Sequence, residues 1–264
     1  MKTLRFLYFL LFLAILTLPL IYFLTPKGKL RILVDPEQAP PRIREKVMMG
    51  YRLMTNTPRY ASDWVGDKLS CTNCHFQGGN TWGGRNGSMS LVGVSEVYPR
   101  FNKRAGKEID LATRIDGCFQ RSLNGKPLPH DSKEMEAFLA YFEWISSPVK
   151  GEKEFPWLGL KPIRRKRAPD INKGKALYVE HCASCHGIDG AGTHLPGDEE
   201  ILNIPPLWGD ESFNDGAGMH RPEIFAAFIH ANMPYRQPIL TEQEAFDIAE
   251  YVLNQPRPHY EAKK

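Results

Sequence analysis

Two pentapeptides of one pattern, Cys71-Thr72-Asn73-Cys74-His75 and Cys182-Ala183-Ser184-Cys185-His186, constrain this chain more than anything else in it. C-x-x-C-H is the attachment pattern of haem c. Two thiols one helical turn apart reach the two vinyl groups of the porphyrin, and the next residue offers its imidazole to the iron as proximal ligand. One copy alone would also fit half of a zinc site, or a redox C-x-x-C with a chance histidine after it. Two copies, each after a helical segment and before a Gly-rich loop, point to two covalently bound haem c. Cys71 and Cys74 then hold the first and Cys182 and Cys185 the second, with His75 and His186 on the irons. His130, His181, His194, His220, His230 and His259 have no motif around them and read as surface or supporting groups.

Haem attachment of this kind takes place in bacteria outside the cytoplasmic membrane, which fixes the compartment. Phe6 to Leu24 is a run of nineteen residues without a charge, long enough to span a bilayer and longer than the apolar core of a usual signal peptide. No A-x-A-like cleavage site follows it. The sequence therefore predicts an uncleaved N-terminal transmembrane anchor, with the body of the chain on the periplasmic side of the cytoplasmic membrane; the alternative is a cleaved signal and a soluble periplasmic protein. Lysines and arginines balance across the segment and do not orient it by themselves. A net charge of +4 over 264 residues, evenly mixed, gives no footprint for nucleic acid.

Beyond the anchor the same plan is used twice, which predicts an all-α fold of two cytochrome c-type domains in tandem. The expected division is 1–28 anchor, 29–42 spacer, 43–147 first domain, 148–169 linker and 170–258 second domain. Each copy is expected to have a helix leading into C-x-x-C-H, a Gly-rich loop, a middle helix and a closing amphipathic helix. The closing helices are placed at Ser132 to about Ser146 and at Thr241 to about Asn254, the latter opened by a capping box, Thr241 with Glu244. The opening helix of the second copy is placed at Lys173 to about Cys182. No strand pattern of any length is visible. The linker carries four prolines and the run Arg164-Arg165-Lys166-Arg167, read as a solvated stretch rather than an anionic docking site.

The distal iron ligands separate the copies. In the second, Met233 follows His186 by 47 residues, in Asn232-Met233-Pro234 ahead of the closing helix. A thioether there raises the potential and closes the iron to substrate. Met219 competes with it, and a plain core methionine is the alternative reading for either. In the first copy the corresponding place is Leu128-Pro129, and leucine cannot ligate iron. The fifth cysteine, Cys118, lies on the middle helix, about Asp110 to Asn124. There Leu111, Ile115, Phe119 and Leu123 form the buried face, and Arg114, Cys118 and Ser122 form a second stripe at the same spacing. On an arbitrary helix Cys118 would be a small buried hydrophobe and Arg114 a solvated charge. Beside an iron that lacks a distal ligand, and in an oxidising compartment where an odd thiol is a liability, thiolate ligation is the favoured reading.

The stretches GDKLSCTNCH, RIDGCFQRSLNGKPLP with DSKEMEAFLAYFEWIS, and PPLWGDESFNDGAGMHR with ANMP resemble the dihaem thiosulfate dehydrogenase family over roughly residues 50–255. The resemblance implies two cytochrome c folds, His and Cys ligation at the first haem, His and Met ligation at the second, and oxidation of two thiosulfates to tetrathionate or the reverse. It implies that Cys118 is the active-site ligand and that Arg104, Arg114 and Ser122 line the substrate pocket. An external cytochrome or other redox protein would take the electrons. Two rivals remain open at this point: a membrane-tethered dihaem electron carrier without a substrate, and a cytochrome that conjugates sulfur onto a carrier protein.

Overall fold

The computed structural model describes residues 33–194 and 203–261. The expected anchor lies outside them, and among the described residues no helix is long and apolar enough to cross a membrane. The first half contains α1 (Pro41–Thr55), the short α2 (Thr57–Tyr60), α3 (Leu111–Arg121) and α4 (Lys133–Ser146). The second contains α5 (Ile171–His181), the short α6 (Ala183–His186), α7 (Pro222–Asn232) and α8 (Glu242–Leu253). In each half the opening helix packs across the closing one, α1 on α4 and α5 on α8.

A glycine makes each crossing possible. A Cβ at Gly50 would lie 2.2 Å from the Ala137 carbonyl oxygen and 2.5 Å from Tyr141 Cβ. A Cβ at Gly174 would lie 1.9 Å from the Asp247 carbonyl oxygen and 3.1 Å from Tyr251 Cβ. The partners are an i, i+4 pair in both halves, so the same ridge of the closing helix meets the same bare patch of the opening one. Both closing helices start at a side-chain cap. Ser132 Oγ accepts from the Met135 amide at 3.1 Å. Thr241 Oγ1 accepts from the Glu244 amide at 3.3 Å, while Glu244 reaches back to the Thr241 amide at 2.8 Å. Phe119 meets Phe138 edge-on at 5.8 Å and ties α3 to α4. Tyr178, Trp208 and Tyr251 form the aromatic cluster of the second half.

Four expectations need correction. A helix runs straight into the haem motif only in the second half, where α5 ends at His181; in the first, α1 ends at Thr55 and an irregular run, 61–70, intervenes. The middle helix of the first half stops at Arg121, short of Asn124. Asn124 there is left-handed, at φ 45°, and the freed carbonyls of the last turn take tertiary partners: Leu123 O accepts from Gly66 N at 2.9 Å. The fold is helix-rich, but two short antiparallel strand pairs appear for which no pattern is visible in the sequence, β1 (Arg100–Asn102) with β2 (Lys107–Ile109) and β3 (Thr193–His194) with β4 (Asn203–Ile204). Strands of two or three residues are too short for alternation to show in sequence.

The basic run is not simply solvated. Arg167 forks onto Asp247, Nη1 to Oδ1 at 2.9 Å and Nη2 to Oδ2 at 2.5 Å, and the Asp247 side chain is 1% exposed. Burial pushes the Asp247 carboxyl up, but Arg167, the Asp170 amide and Gln243 outweigh it and hold the pKa below the usual carboxylate value. The rest of the segment between the halves is docked as well, with Trp157 Nε1 donating to Val92 O at 2.8 Å and Arg164 N to Glu242 Oε2 at 3.1 Å. At the other end, Asn80 pairs with Val34 through both backbone groups, at 3.1 and 2.6 Å.

Candidate active site

Both haem motifs wind into one turn. The amides of Cys74 and His75 donate to Cys71 O at 3.2 and 2.9 Å, and those of Cys185 and His186 to Cys182 O at 3.1 and 2.9 Å. The two imidazoles are held alike, His75 Nδ1 on Met89 O at 2.8 Å and His186 Nδ1 on Pro205 O at 3.0 Å. A carbonyl only accepts, so each Nδ1 carries the proton and each Nε2 keeps its lone pair, the tautomer that an iron requires. Burial keeps both rings neutral. It lowers the His75 pKa to about 4, against the Met89 carbonyl and with help from Arg114, and it lowers that of His186 against the Pro205 carbonyl. Among the described residues no three His, Cys, Asp or Glu side chains converge as a metal cluster, and the four motif thiols are free of disulfides. The donor set fits two haem c rather than zinc.

Cys118 lies near the first motif. Asp110 caps α3 through the Thr113 amide at 2.8 Å. Leu111, Ile115 and Phe119 then anchor the apolar side of the helix in the core, leaving Arg114 and Cys118 half-buried beside it. Arg114 Nη1 donates to Cys118 Sγ at 2.7 Å. The sulfur raises the Arg114 pKa and outweighs the burial that would lower it, so the guanidinium is firmly charged. Burial pushes the Cys71 and Cys74 thiols up to about 12, and Cys118 is close enough to add to this at both. Cys71, Cys74, His75, Arg114 and Cys118 therefore share one neighbourhood. Ser122 ends the helix, its amide on Cys118 O at 2.8 Å. Leu128 is 1% exposed, its amide held by Asp116 Oδ1 at 2.9 Å, and it brings no ligating atom to the site.

Arg104 comes from the β1–β2 hairpin, whose turn is closed by Asn102 Oδ1 on the Arg104 and Ala105 amides at 3.0 Å each. Its Nη1 donates to Gly216 O of the second half at 2.7 Å. Burial lowers its pKa, and Arg121, Arg221 and Arg114 lower it further. Arg114 thus lies close enough to Arg104 to act on its charge, as do two arginines that the sequence did not single out.

Met233 caps the C-terminal end of α7 and is half-buried, whereas Met219 is 6% exposed within the hydrophobic core. The loop bearing Met233 is fastened to the loop that follows the first motif. Asn232, fully buried, accepts from the Ser88 amide at 2.8 Å, the Asn86 amide donates to Ala231 O at 2.7 Å, and Ser88 Oγ donates to the Cys74 carbonyl. The tie of Asn232 to Ser88 and the carbonyls of Met89 and Pro205 were missed at the sequence level. Backbone carbonyls leave no residue-type signature, though Pro205-Pro206 after a Gly-rich loop is a hint.

Two carbonyl-held imidazoles, each on its own C-x-x-C-H turn, make this a dihaem c-type cytochrome. The cytochrome c family model matches residues 171–256, and the model described as SoxA/TsdA, cytochrome c domain, matches residues 59–150. The chain is 39% identical to the thiosulfate dehydrogenase of Allochromatium vinosum over 218 residues, which is 82% of this chain and 80% of that one. It is 38% identical to the thiosulfate dehydrogenase of Stutzerimonas stutzeri over 216 residues, 81% and 68% of the two chains. The solved structure of thiosulfate dehydrogenase (TsdBA) from Marichromatium purpuratum, in its as-isolated form, has a TM-score of 0.77 at 32% identity. It covers 88% of this chain, which spans 50% of that longer one. The chain belongs to the thiosulfate dehydrogenase family, and two covalently bound haem c are its cofactors.

Proposed function

We propose that the chain joins two thiosulfates into tetrathionate at Cys118 and passes the two electrons outward through its second half. The observation that supports this best is the 2.7 Å contact of Arg114 with Cys118, made beside the first haem motif. A guanidinium fork suits sulfonate oxygens, and a charge-assisted bond to an anion is among the stronger polar contacts. Joining two dianions directly is electrostatically poor, and a covalent adduct splits the work. Cys118 thiolate and the first thiosulfate form a Cys118–S–S–SO3⁻ adduct as two electrons are withdrawn. The terminal sulfur of the second thiosulfate then attacks the adduct; its bond to Cys118 breaks, tetrathionate leaves and the thiolate returns.

His75 and Cys118 would hold the first iron, His186 and Met233 the second, with Cys71, Cys74, Cys182 and Cys185 as the covalent anchors. When bound, the two haem c take the electrons one at a time, the Met-ligated one at the higher potential. Arg104, Arg114 and Ser122 line the thiosulfate pocket. We place the two domains at 43–147 and 170–258 with the linker between them. The body of the protein lies in the periplasm, tethered by the apolar run Phe6–Leu24, and the electrons go to a cytochrome or other redox protein. A steady-state assay of the holoprotein with thiosulfate and a one-electron oxidant, and with tetrathionate and a reductant, tests the reading. Turnover in either direction agrees with it. Ready exchange of electrons with no turnover of either sulfur compound would leave a plain electron carrier.

A further inference from the structure

Four guanidinia gather where the two halves meet. Arg104 reaches from the β1–β2 hairpin to Gly216 O at 2.7 Å. Gly216 lies under the Tyr260 ring, so closely that a Cβ on it would come within 2.6 Å of that ring. The Arg121 guanidinium stands 5.7 Å from the centroid of the same ring. Arg121 also turns back along its helix: a Cβ on Gly117, the residue before Cys118, would lie 2.2 Å from Arg121 Nη2. The end of α3 that carries it is tied to the second half by Asn214, whose amide donates to Arg121 O at 3.2 Å and whose Nδ2 donates to Gln120 O at 2.9 Å. Arg221, exposed at the N-cap of α7, donates from Nε to Gly218 O at 3.5 Å, two residues beyond the Gly216 carbonyl that Arg104 holds, and it acts on the charge of Arg104 as Arg121 and Arg114 do.

Among the described residues no carboxylate is paired with this group: Arg104, Arg114, Arg121 and Arg221 form no ion pair there. The neighbouring acids are committed elsewhere, Asp215 to His259 at 2.6 Å and to the Tyr260 amide at 2.8 Å, and Asp116 to the Gln120 side chain and the Leu128 amide. Like charges held together without counter-charges work against folding, and an anion bound among them offsets that cost. Arg114 is already engaged with the Cys118 sulfur, so the outer three are the ones free to hold a separate ligand.

We propose that Arg104, Arg121 and Arg221 form a second oxyanion subsite, built from both halves, which holds the sulfonate end of the second thiosulfate for its attack on the Cys118 adduct. The inference rests on the proposed thiosulfate chemistry and adds to it a division of labour. Arg114 serves the anion that becomes bound to Cys118. The outer arginines serve the anion that arrives afterwards and, in the reverse direction, the far sulfonate of tetrathionate. The step they serve is redox-neutral, since one S–S bond forms as another breaks and the thiolate is the leaving group. It needs no oxidant of its own.

The test uses the holoprotein, Arg221→Ala and Arg121→Ala, with Arg221→Lys as a variant that keeps the charge. Two quantities are read: the intact mass of the protein after thiosulfate and a one-electron oxidant, which reports the adduct on Cys118, and the thiosulfate dependence of tetrathionate formation. For each Ala variant the subsite predicts an adduct that still forms and accumulates, with kcat/KM for tetrathionate formation down about tenfold or more. Arg221→Lys should recover part of the loss. Ala variants with the parent's KM and kcat, or ones that take no adduct although their haems remain reducible, overturn the subsite alone. A parent protein that takes no adduct and makes no tetrathionate overturns the underlying reading and the subsite with it.

Discussion

The two halves share a helix crossing and differ in what they do with the middle helix. In the second half α7 is apolar nearly throughout, Phe225 to Ile229 all buried, and the residue with ligating chemistry, Met233, stands just past its end. In the first half α3 keeps an apolar side but sets Arg114 and Cys118 one turn apart along its edge, close to the first haem motif, while the turn after it ends in the inert Leu128. On the function proposed above, the thioether beyond the helix serves electron transfer, and the thiol and guanidinium on the helix serve the chemistry. Duplicated scaffolds can thus diverge in role while the crossing that holds them, Gly50 on α4 and Gly174 on α8, stays the same.

Removing the thiol should erase the difference between the halves and have the largest effect. Cys118→Met offers the first half the ligand type of the second, and a thioether cannot form the adduct. Thiosulfate turnover should fall by more than about a hundredfold with both haems still reducible; a rate within about tenfold of the parent, a barrier change of about 1.4 kcal/mol, would make Cys118 only a potential-setting ligand. Arg114→Ala comes next. It should lower kcat/KM for thiosulfate roughly ten- to a hundredfold, the worth of one charge-assisted bond of about 1.5–3 kcal/mol, and leave haem content unchanged. Parent-like kinetics would move the first anion away from this helix.

Two further substitutions test the shared scaffold. Gly50→Ala and Gly174→Ala each drive a methyl into a backbone carbonyl and should each cost about 1–3 kcal/mol of stability, read as a lower unfolding midpoint. A large loss at one and none at the other would mean that the crossings are not equivalent. The smallest effect is one of pH. Asp247 occupies in the second half the place that Ala137 holds in the first, and its folded pKa lies below its unfolded value. Its contribution is therefore complete above about pH 4 and is lost as pH falls through the folded pKa. Asp247→Asn should be less stable than the parent at neutral pH and should converge with it in acid; a constant gap across that range would assign the loss to packing alone.

What was legible in the sequence had local causes. The caps at Ser132 and Thr241, the buried stripe of α3 and the haem turns each depend on residues within one or two turns of one another, so spacing reveals them. What was not legible depends on partners far along the chain. Arg167 reads as a solvated charge until Asp247, eighty positions on, is folded against it. Arg121 and Arg221 are ordinary surface arginines in sequence and become a cluster only because Asn214 and Gly216 hold the halves together. The irregular run before Cys71 was hidden for another reason: the second copy, in which the helix does lead into the motif, suggested a plan that the first does not follow.

The most direct measurement is paramagnetic resonance of the oxidised holoprotein, with Cys118→Met alongside. If the halves differ as described, the parent shows one low-spin haem with histidine and thiolate ligands beside one with histidine and methionine, and the variant loses the thiolate signal alone. Two His/Met haems, or a bis-histidine haem, in the parent would contradict the account, because Cys118 would then be neither the ligand of the first half nor the thiol at its iron.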